Sequence, residues 1–393
     1  MTTEAVQEPT TPLDATLAVI EDGIAHGLHL GAQIYVSIDG EVVSDTALGQ
    51  ARPGQAMTTD SMVTWFSMTK PTVAVAVARC WEAGLLEIDD QVCRHVPEFA
   101  ANGKEAVTIR HLLTHTGGFR SADQARGSWD EMIAATCAAK LEPGWVPGQR
   151  AGYHLAAGMN MLAEIIRRLD GRGFDAYVRQ EIFEPLGMVD CWVGMPVDQH
   201  ARYGDRLGAM FETSGPEPVA LDFLDTPRAL AACLPGGGGR GPIRQLGLFY
   251  EMMLQRGARD GVRIISPQSC EALVARHRVG MYDKTFKVQC DWGLGFFVDS
   301  SSMGRHNSPR AFGHGGAQSS VALADPEYGL VAVIQCNGMP GFDRHYARFE
   351  AINTALYEDL GLAPRGSPGR ARPLPAMGAG PSLFPPSRTT PEG

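Results

Sequence analysis

Strand-type runs stand at both ends of this chain with a long helical stretch between them, so a single sheet has to be assembled from segments hundreds of residues apart. Near the start, AQIYVSIDGEVVSDTALG (32–49) carries two β-rich runs around Asp39-Gly40, a dipeptide that favours a two-residue hairpin turn. Strand signals return late, in DWGLGFFVDS (291–300), SSVALADP (319–326) and GLVAVIQCN (329–337). From about 80 to 230 the pattern is helical and loop-rich, as in NMLAEIIRRLDG and FDAYVRQEIFEPLGM. Helical spacing also predicts an opening amphipathic helix over 13–26 and a closing one over 342–362. The expected class is α+β, with an α/β lobe made of residues 1–80 and 231–363 and a helical lobe of 81–230. Residues 364–393, rich in Pro, Gly and Ser, are expected to be a disordered tail.

The chain has 393 residues, of which 44% are hydrophobic, enough for a large core. Its formal net charge of −10 argues against the phosphate-neutralising surface of a nucleic-acid binder. The eight cysteines are scattered, with no C-x-x-C pair, and read as reduced, mostly buried residues of a cytoplasmic protein with no metal site. The first residues lack a basic start followed by an apolar run, so no secretory leader is expected. No run approaches the roughly 18 apolar residues of a membrane span.

Three stretches carry chemistry. In FSMTKPTVAVAVA (66–78), Ser67 and Lys70 stand three apart, which on a helix brings an amine within reach of a hydroxyl. Pro71 is tolerated in a first helical turn and would break a helix further in, so the pair belongs at a helix start, where the Ser67 N–H is free to face a developing oxyanion. A lysine acts as a base only if burial or a neighbouring cation lowers its pKa from about 10.4. Tyr153, between a Pro-Gly turn and an apolar helix, is placed to carry a second proton. Gly313, Gly315 and Gly316 around His314 suggest a strand edge approached by another backbone or a ligand. Each stretch taken alone also fits an ordinary surface serine and lysine, a half-buried tyrosine, or a glycine-rich strand end.

The ordered set S-M-T-K-P (67–71), Y-H-L (153–155) and H-G-G (314–316) resembles the three motifs of serine β-lactamases and penicillin-binding proteins, and is most similar to the family VIII carboxylesterases. LLTHTGGF (112–119), WVPGQRAGYHLAAG (145–158), WGLGF (292–296) and DPEYGLVAV (325–333) extend the likeness across about residues 13–360. The resemblance implies a β-lactamase/transpeptidase-like fold, an antiparallel sheet flanked by helices. It implies Ser67 as the acylated nucleophile, Lys70 as its base and Tyr153 as the proton relay. The N–H groups of Ser67 and Ala317 would form the oxyanion hole, and Leu155, Trp292, His314, Gly315 and Gly316 would contact a small-molecule ester, with no cofactor.

Two departures bear on substrate. Where penicillin-recognising relatives carry K-T-G, this chain has His314, largely neutral at pH 7; where they carry Y-x-N, it has Leu155. Both weaken recognition of a β-lactam and favour short-chain esters. Acyl transfer to an alcohol, β-lactam or D-amino-acid peptide cleavage, and a non-enzymatic binding role remain alternatives.

Other candidates are weaker. GGGGRG (236–241) formally fits a dinucleotide fingerprint but follows Pro235 and lacks the acidic residue about 20 positions on, so it reads as a flexible turn near the cleft. His111 and His115 lack the glutamate of a zinc helix and read as structural. Trp129, Trp145, Trp192 and Phe211 are the aromatic residues expected to line an apolar pocket from the helical lobe.

Overall fold

A computed structural model describes residues 13–299 and 303–370. Its centre is a seven-stranded antiparallel sheet. The strands are β1 (Gly31–Ile38), β2 (Glu41–Arg52), β3 (Gln55–Ala56), β4 (Phe297–Val298), β5 (Phe312–Gly316), β6 (Ser320–Asp325) and β7 (Leu330–Cys336), in the spatial order β4-β5-β6-β7-β1-β2-β3. Asp39 (φ 51°) and Gly40 (φ 86°) make the β1–β2 turn, both left-handed as a type I′ hairpin requires. β1 closes the sheet against β7, with Ile34 opposite Ile334 and Tyr35 opposite Val333.

Side chains alternate across a strand, and here both faces are buried, which explains the nearly unbroken apolar runs. Ile34, Val36, Val321, Leu323 and Ile334 pack against helices α1 (Asp14–Ala25) and α6 (Phe342–Asp359) through Ile20, Phe349, Ile352 and Leu356. Tyr35, Ala322, Ala324, Val331 and Val333 face the other way, into the larger core. That core includes α2 (Lys70–Glu82), α4 (Ala157–Asp170) and α5 (Ile243–Leu254), with α3 (Trp129–Ala138) beside α4. Residues 81–230 are mostly helix and loop, with two-residue strands at Trp192–Val193, Phe211–Glu212 and Val219–Ala220.

Three expectations need correction. DWGLGFFVDS forms a strand only at Phe297–Val298, because Gly295 (φ 85°) and Asp299 (φ 47°) turn the backbone on either side. GGGGRG is a tight scaffold element: Gly239–Gly241 is the middle strand between Val63–Thr64 and Trp192–Val193. Residues 364–370, counted with the tail, are held in place, since Arg370 N donates to Arg305 O over 2.8 Å. The rest of that tail, 371–393, lies outside the described residues. Among the described residues no helix is long and apolar enough to cross a membrane, and all eight cysteines are free thiols.

Candidate active site

Ser67 sits in a single 3₁₀ turn, Phe66–Thr69, that runs directly into α2. Phe66 adopts φ 49°, a conformation that costs a bulky residue roughly 1–2 kcal/mol and is retained where surrounding structure enforces it. The enforcement is visible. Trp65 N donates to Gly239 O (2.8 Å), Thr69 Oγ1 to Phe66 O (2.6 Å) and Gly239 N to Thr69 Oγ1 (2.9 Å). A Cβ on Gly239 would lie 2.5 Å from Thr69 Oγ1, so the glycine run exists to let this turn lie against it. Pro71 occupies the first turn of α2, as the sequence predicts.

Lys70 is fully buried and has no carboxylate partner among the described ion pairs. Its Nζ lies 3.0 Å from Ser67 Oγ, 2.9 Å from Leu155 O and 2.6 Å from Gly236 O. Burial pushes its pKa down to about 7, against a smaller upward pull from Asp123. The geometry sets what a neutral amine does here. The two carbonyls only accept, so they take the two N–H bonds, and the remaining lone pair faces the Ser67 hydroxyl. Gly236 is required for its contact, since a Cβ there would lie 2.8 Å from Leu155 O.

The Tyr153–Leu155 loop reaches the same point because two buried carboxylates hold its backbone. Asp123 accepts from Leu155 N (2.9 Å), Ala156 N (2.9 Å) and Ala157 N (2.8 Å), capping α4 from a distance. Asp283 accepts from Tyr153 N over 3.1 Å. The Tyr153 hydroxyl has its pKa raised by burial far above the ordinary phenol range, against a smaller downward pull from the neighbouring Ser67. It therefore stays protonated and can hand on a proton only as another is supplied. The Lys70 ammonium position lies 4.9 Å from the Tyr153 ring centre.

β5 supplies the opposite wall. Its pairing with β4 ends at Gly313, and the remainder approaches the Ser67 turn. A Cβ on Gly316 would lie 2.5 Å from Trp65 O, so only glycine lets the end of β5 lie this close to the Ser67 turn. His314 is buried, and its Nδ1 lies 2.7 Å from Gly315 O. A carbonyl can only accept, so Nδ1 carries the hydrogen and Nε2 the lone pair. Burial and the neighbouring Lys70 push the His314 pKa down to about 3. His314, expected from the sequence to be largely neutral at pH 7, is thus a neutral acceptor at Nε2.

One cavity, about 770 Å³ including its open mouth, brings together Ser67, Tyr153, Leu155, His314, Gly315, Gly316 and Ala317. Its apolar wall comes from Phe286, Phe297, Val321, Phe342 and Phe349, and no Lys, Arg, Asp or Glu is among the residues lining it. Trp292 does not reach it. That side chain is fully buried behind Tyr153 and His314, with its ring 4.0 Å from the ring of Phe297. The aromatic residues expected from the helical lobe are elsewhere too. Trp129 Nε1 donates to Glu164, Trp145 Nε1 to Thr116 O and Trp192 Nε1 to the Tyr203 hydroxyl, all as packing contacts, and Phe211 is buried near Met339. His111 accepts from Thr108 N in a helix cap. Asp123 and Asp283 are additions that sequence spacing does not signal, and Gly236 belongs to the glycine run read as a turn near the cleft.

Against known proteins, the beta-lactamase family model matches residues 18–356. Esterase/beta-lactamase LipL of Mycobacterium tuberculosis is 26% identical over 341 residues, which cover 78% of this chain and 77% of that protein. Penicillin-binding protein 4 of Amycolatopsis lactamdurans is 30% identical over 326 residues, covering 78% and 81% respectively. A family VIII carboxylesterase crystal structure superposes with a TM-score of 0.76 at 25% identity, over 89% of this chain and 98% of the other. With a family model matching most of its length and a 30% identical relative covered over 81%, the chain belongs to the beta-lactamase family.

Proposed function

We propose that the protein is a carboxylesterase that cleaves uncharged, short-chain esters through an acyl-enzyme on Ser67. The observation that carries this reading is the Lys70 amine, buried without a carboxylate partner, with two N–H bonds on carbonyls and its third position 3.0 Å from Ser67 Oγ. As Ser67 Oγ bonds to the ester carbon, its proton passes to Lys70. The carbonyl oxygen gains negative charge and accepts from the N–H groups of Ser67 and Ala317. On collapse the ester C–O bond breaks, Tyr153 gives its proton to the leaving alcohol, and Lys70 returns one to Tyr153. In deacylation water replaces the alcohol, its proton runs back through Tyr153 and Lys70, and Ser67 leaves protonated.

The lining favours neutral esters. A β-lactam or a peptide C-terminus carries a carboxylate, and the cavity offers it two histidines, His345 and the His314 that burial holds neutral, and no lysine or arginine. The name of the family VIII carboxylesterase structure points to ester cleavage in that relative, and that of LipL to both ester and β-lactam cleavage. The apolar wall also favours an alcohol over water as acceptor, so acyl transfer is the second reading. The eight free thiols are consistent with a cytoplasmic setting.

The test is p-nitrophenyl acetate and butyrate beside a chromogenic cephalosporin, with and without an added alcohol, for wild type and Ser67→Ala. Expected are fast ester turnover, slow cephalosporin turnover, and a loss of at least roughly three orders of magnitude in Ser67→Ala. Intact-mass spectrometry should find the acyl adduct on Ser67. Equal turnover by Ser67→Ala would sink the nucleophile assignment, and a new ester formed from the added alcohol would favour transfer.

A further inference from the structure

The hairpin that follows Arg278 wraps the backbone of Tyr153. Asp283, fully buried, places a single oxygen, Oδ1, within reach of three N–H groups: Tyr153 (3.1 Å), Thr285 (2.8 Å) and Phe286 (3.1 Å). Its other oxygen pairs with the buried Arg278 at 3.1 Å, and Arg278 Nη1 also donates to Thr114 O (3.0 Å), which ties the unit to the end of the helix before the LLTHTGGF loop. The hairpin closes on Tyr153 from the other side as well. Thr285 Oγ1 donates to Tyr153 O over 2.9 Å, Arg120 donates to Thr285 Oγ1 over 3.0 Å, and Lys284 N donates to Ala151 O over 3.0 Å. Phe286 then lays its ring against Tyr153, centres 4.6 Å apart, and lines the cavity.

Burying such charges is tolerated only where they find partners, and what Asp283 Oδ1 engages is the backbone of the proposed relay and of one cavity wall. We infer that Asp283 is a positioning residue that fixes Tyr153 for proton delivery to the leaving group and holds Phe286 against it, so that the substrate wall and the relay move as one body. This rests on the acyl-enzyme reading above. It assigns Asp283 no contact with substrate. Its effect runs through Tyr153.

The consequence is a dependence on leaving group. A nitrophenolate departs without a proton, whereas an alkoxide needs one as the C–O bond breaks. Loosening Tyr153 should therefore spare activated esters and slow alkyl esters. The experiment measures kcat/KM, which reports acylation, for p-nitrophenyl butyrate and ethyl butyrate in wild type, Asp283→Ala, Thr285→Val, Tyr153→Phe and the Asp283→Ala/Tyr153→Phe double variant. Asp283→Ala should lose roughly 100-fold on ethyl butyrate and less than about fivefold on the nitrophenyl ester. Tyr153→Phe should show the same skew, and the double variant should be no worse than Tyr153→Phe alone. Thr285→Val, at a half-buried position, should show a weaker skew of the same sign and decides the matter if Asp283→Ala does not fold. Equal losses on both esters in Asp283→Ala and Thr285→Val, or no loss in either, would overturn the positioning role while leaving the Ser67 adduct intact. Absence of any Ser67 adduct in wild type would overturn the parent reading and this one with it.

Discussion

A lysine that accepts a proton near neutrality has to be moved out of the ammonium form, and Lys70 is moved by burial. Its neutral form predominates above a pKa of about 7, so kcat/KM for an activated ester should rise with pH through that value and then level off. Lys70→Arg, always charged, should lose the activity at every pH. Asp123 is the group that pulls the Lys70 pKa upward, so Asp123→Asn should shift the rising limb to lower pH, and an unmoved or alkaline-shifted limb in pH–rate data would contradict that coupling. The same shift has a stability side. Unfolded, the lysine titrates near 10.5; folded, near 7; the unfolded chain therefore binds the extra proton between these values, and the penalty for burying Lys70 is full below 7 and relieved as pH climbs towards 10.5. The melting temperature of wild type relative to Lys70→Met should accordingly improve from pH 7 to pH 10. Ser67, Lys70 and Tyr153 were legible as candidates through the ordered set of motifs, since each stretch alone also fits an ordinary structural role. The acceptors that aim Lys70, Leu155 O and Gly236 O, were not, because any residue carries a carbonyl and only the folded path says where it points.

The elements divide the same way. β1, β6 and β7 stand out in sequence because burial along nearly their whole length demands mostly apolar residues, β2 because of the Asp39-Gly40 turn before it, and the closing helix because its period is regular. β5 was readable as an edge from its glycines, and the reason is steric: at Gly316 a methyl group would meet Ser320 Oγ at 2.1 Å and Trp65 O at 2.5 Å. Gly316→Ala should push β5 off the Ser67 turn and reduce kcat by at least roughly tenfold, since a shift of about 1 Å in a catalytic arrangement can cost 10²-fold. A fully active Gly316→Ala in steady-state kinetics would contradict this reading of the edge. The pocket wall was misplaced because tryptophans draw attention by size, yet each of Trp129, Trp145 and Trp192 spends its N–H on a packing partner. Phe342 and Phe349 lie on one face of α6, and the helical pattern alone does not tell a core phenylalanine from one that borders a cavity.

At the scale of the molecule, the sheet separates two apolar clusters that serve different ends. The one beneath α1 and α6 supports β1, β6 and β7 from behind and includes Leu356, which is fully buried. Leu356→Ala should cost about 2–5 kcal/mol of stability and leave the position of the pH limb unchanged, as denaturant unfolding and pH–rate measurements on one preparation would show. Thr16 N and Oγ1 both donate to Asp359, each over 2.8 Å, which joins the first helix to the last. The gathering of both chain ends into one sheet was legible from strand signals at each end. The register was not, because β1 and β7 are buried along nearly their whole length, so no alternation of buried and exposed positions selects one alignment.

That arrangement has a consequence for birth on the ribosome. Ile34 pairs with Ile334, so β1, the strand that stands between β2 and β7, waits through the synthesis of three hundred further residues before its second edge is covered. The helices of the middle stretch are built from local contacts and can settle early, while the β1–β2 hairpin remains an open, apolar template. A nascent chain stopped before residue 330 would lack β7 altogether and keep the serine turn's sheet unclosed. Late premature stops in this gene should therefore yield aggregates captured by chaperones, with none of the partial activity that loss of a peripheral segment would leave.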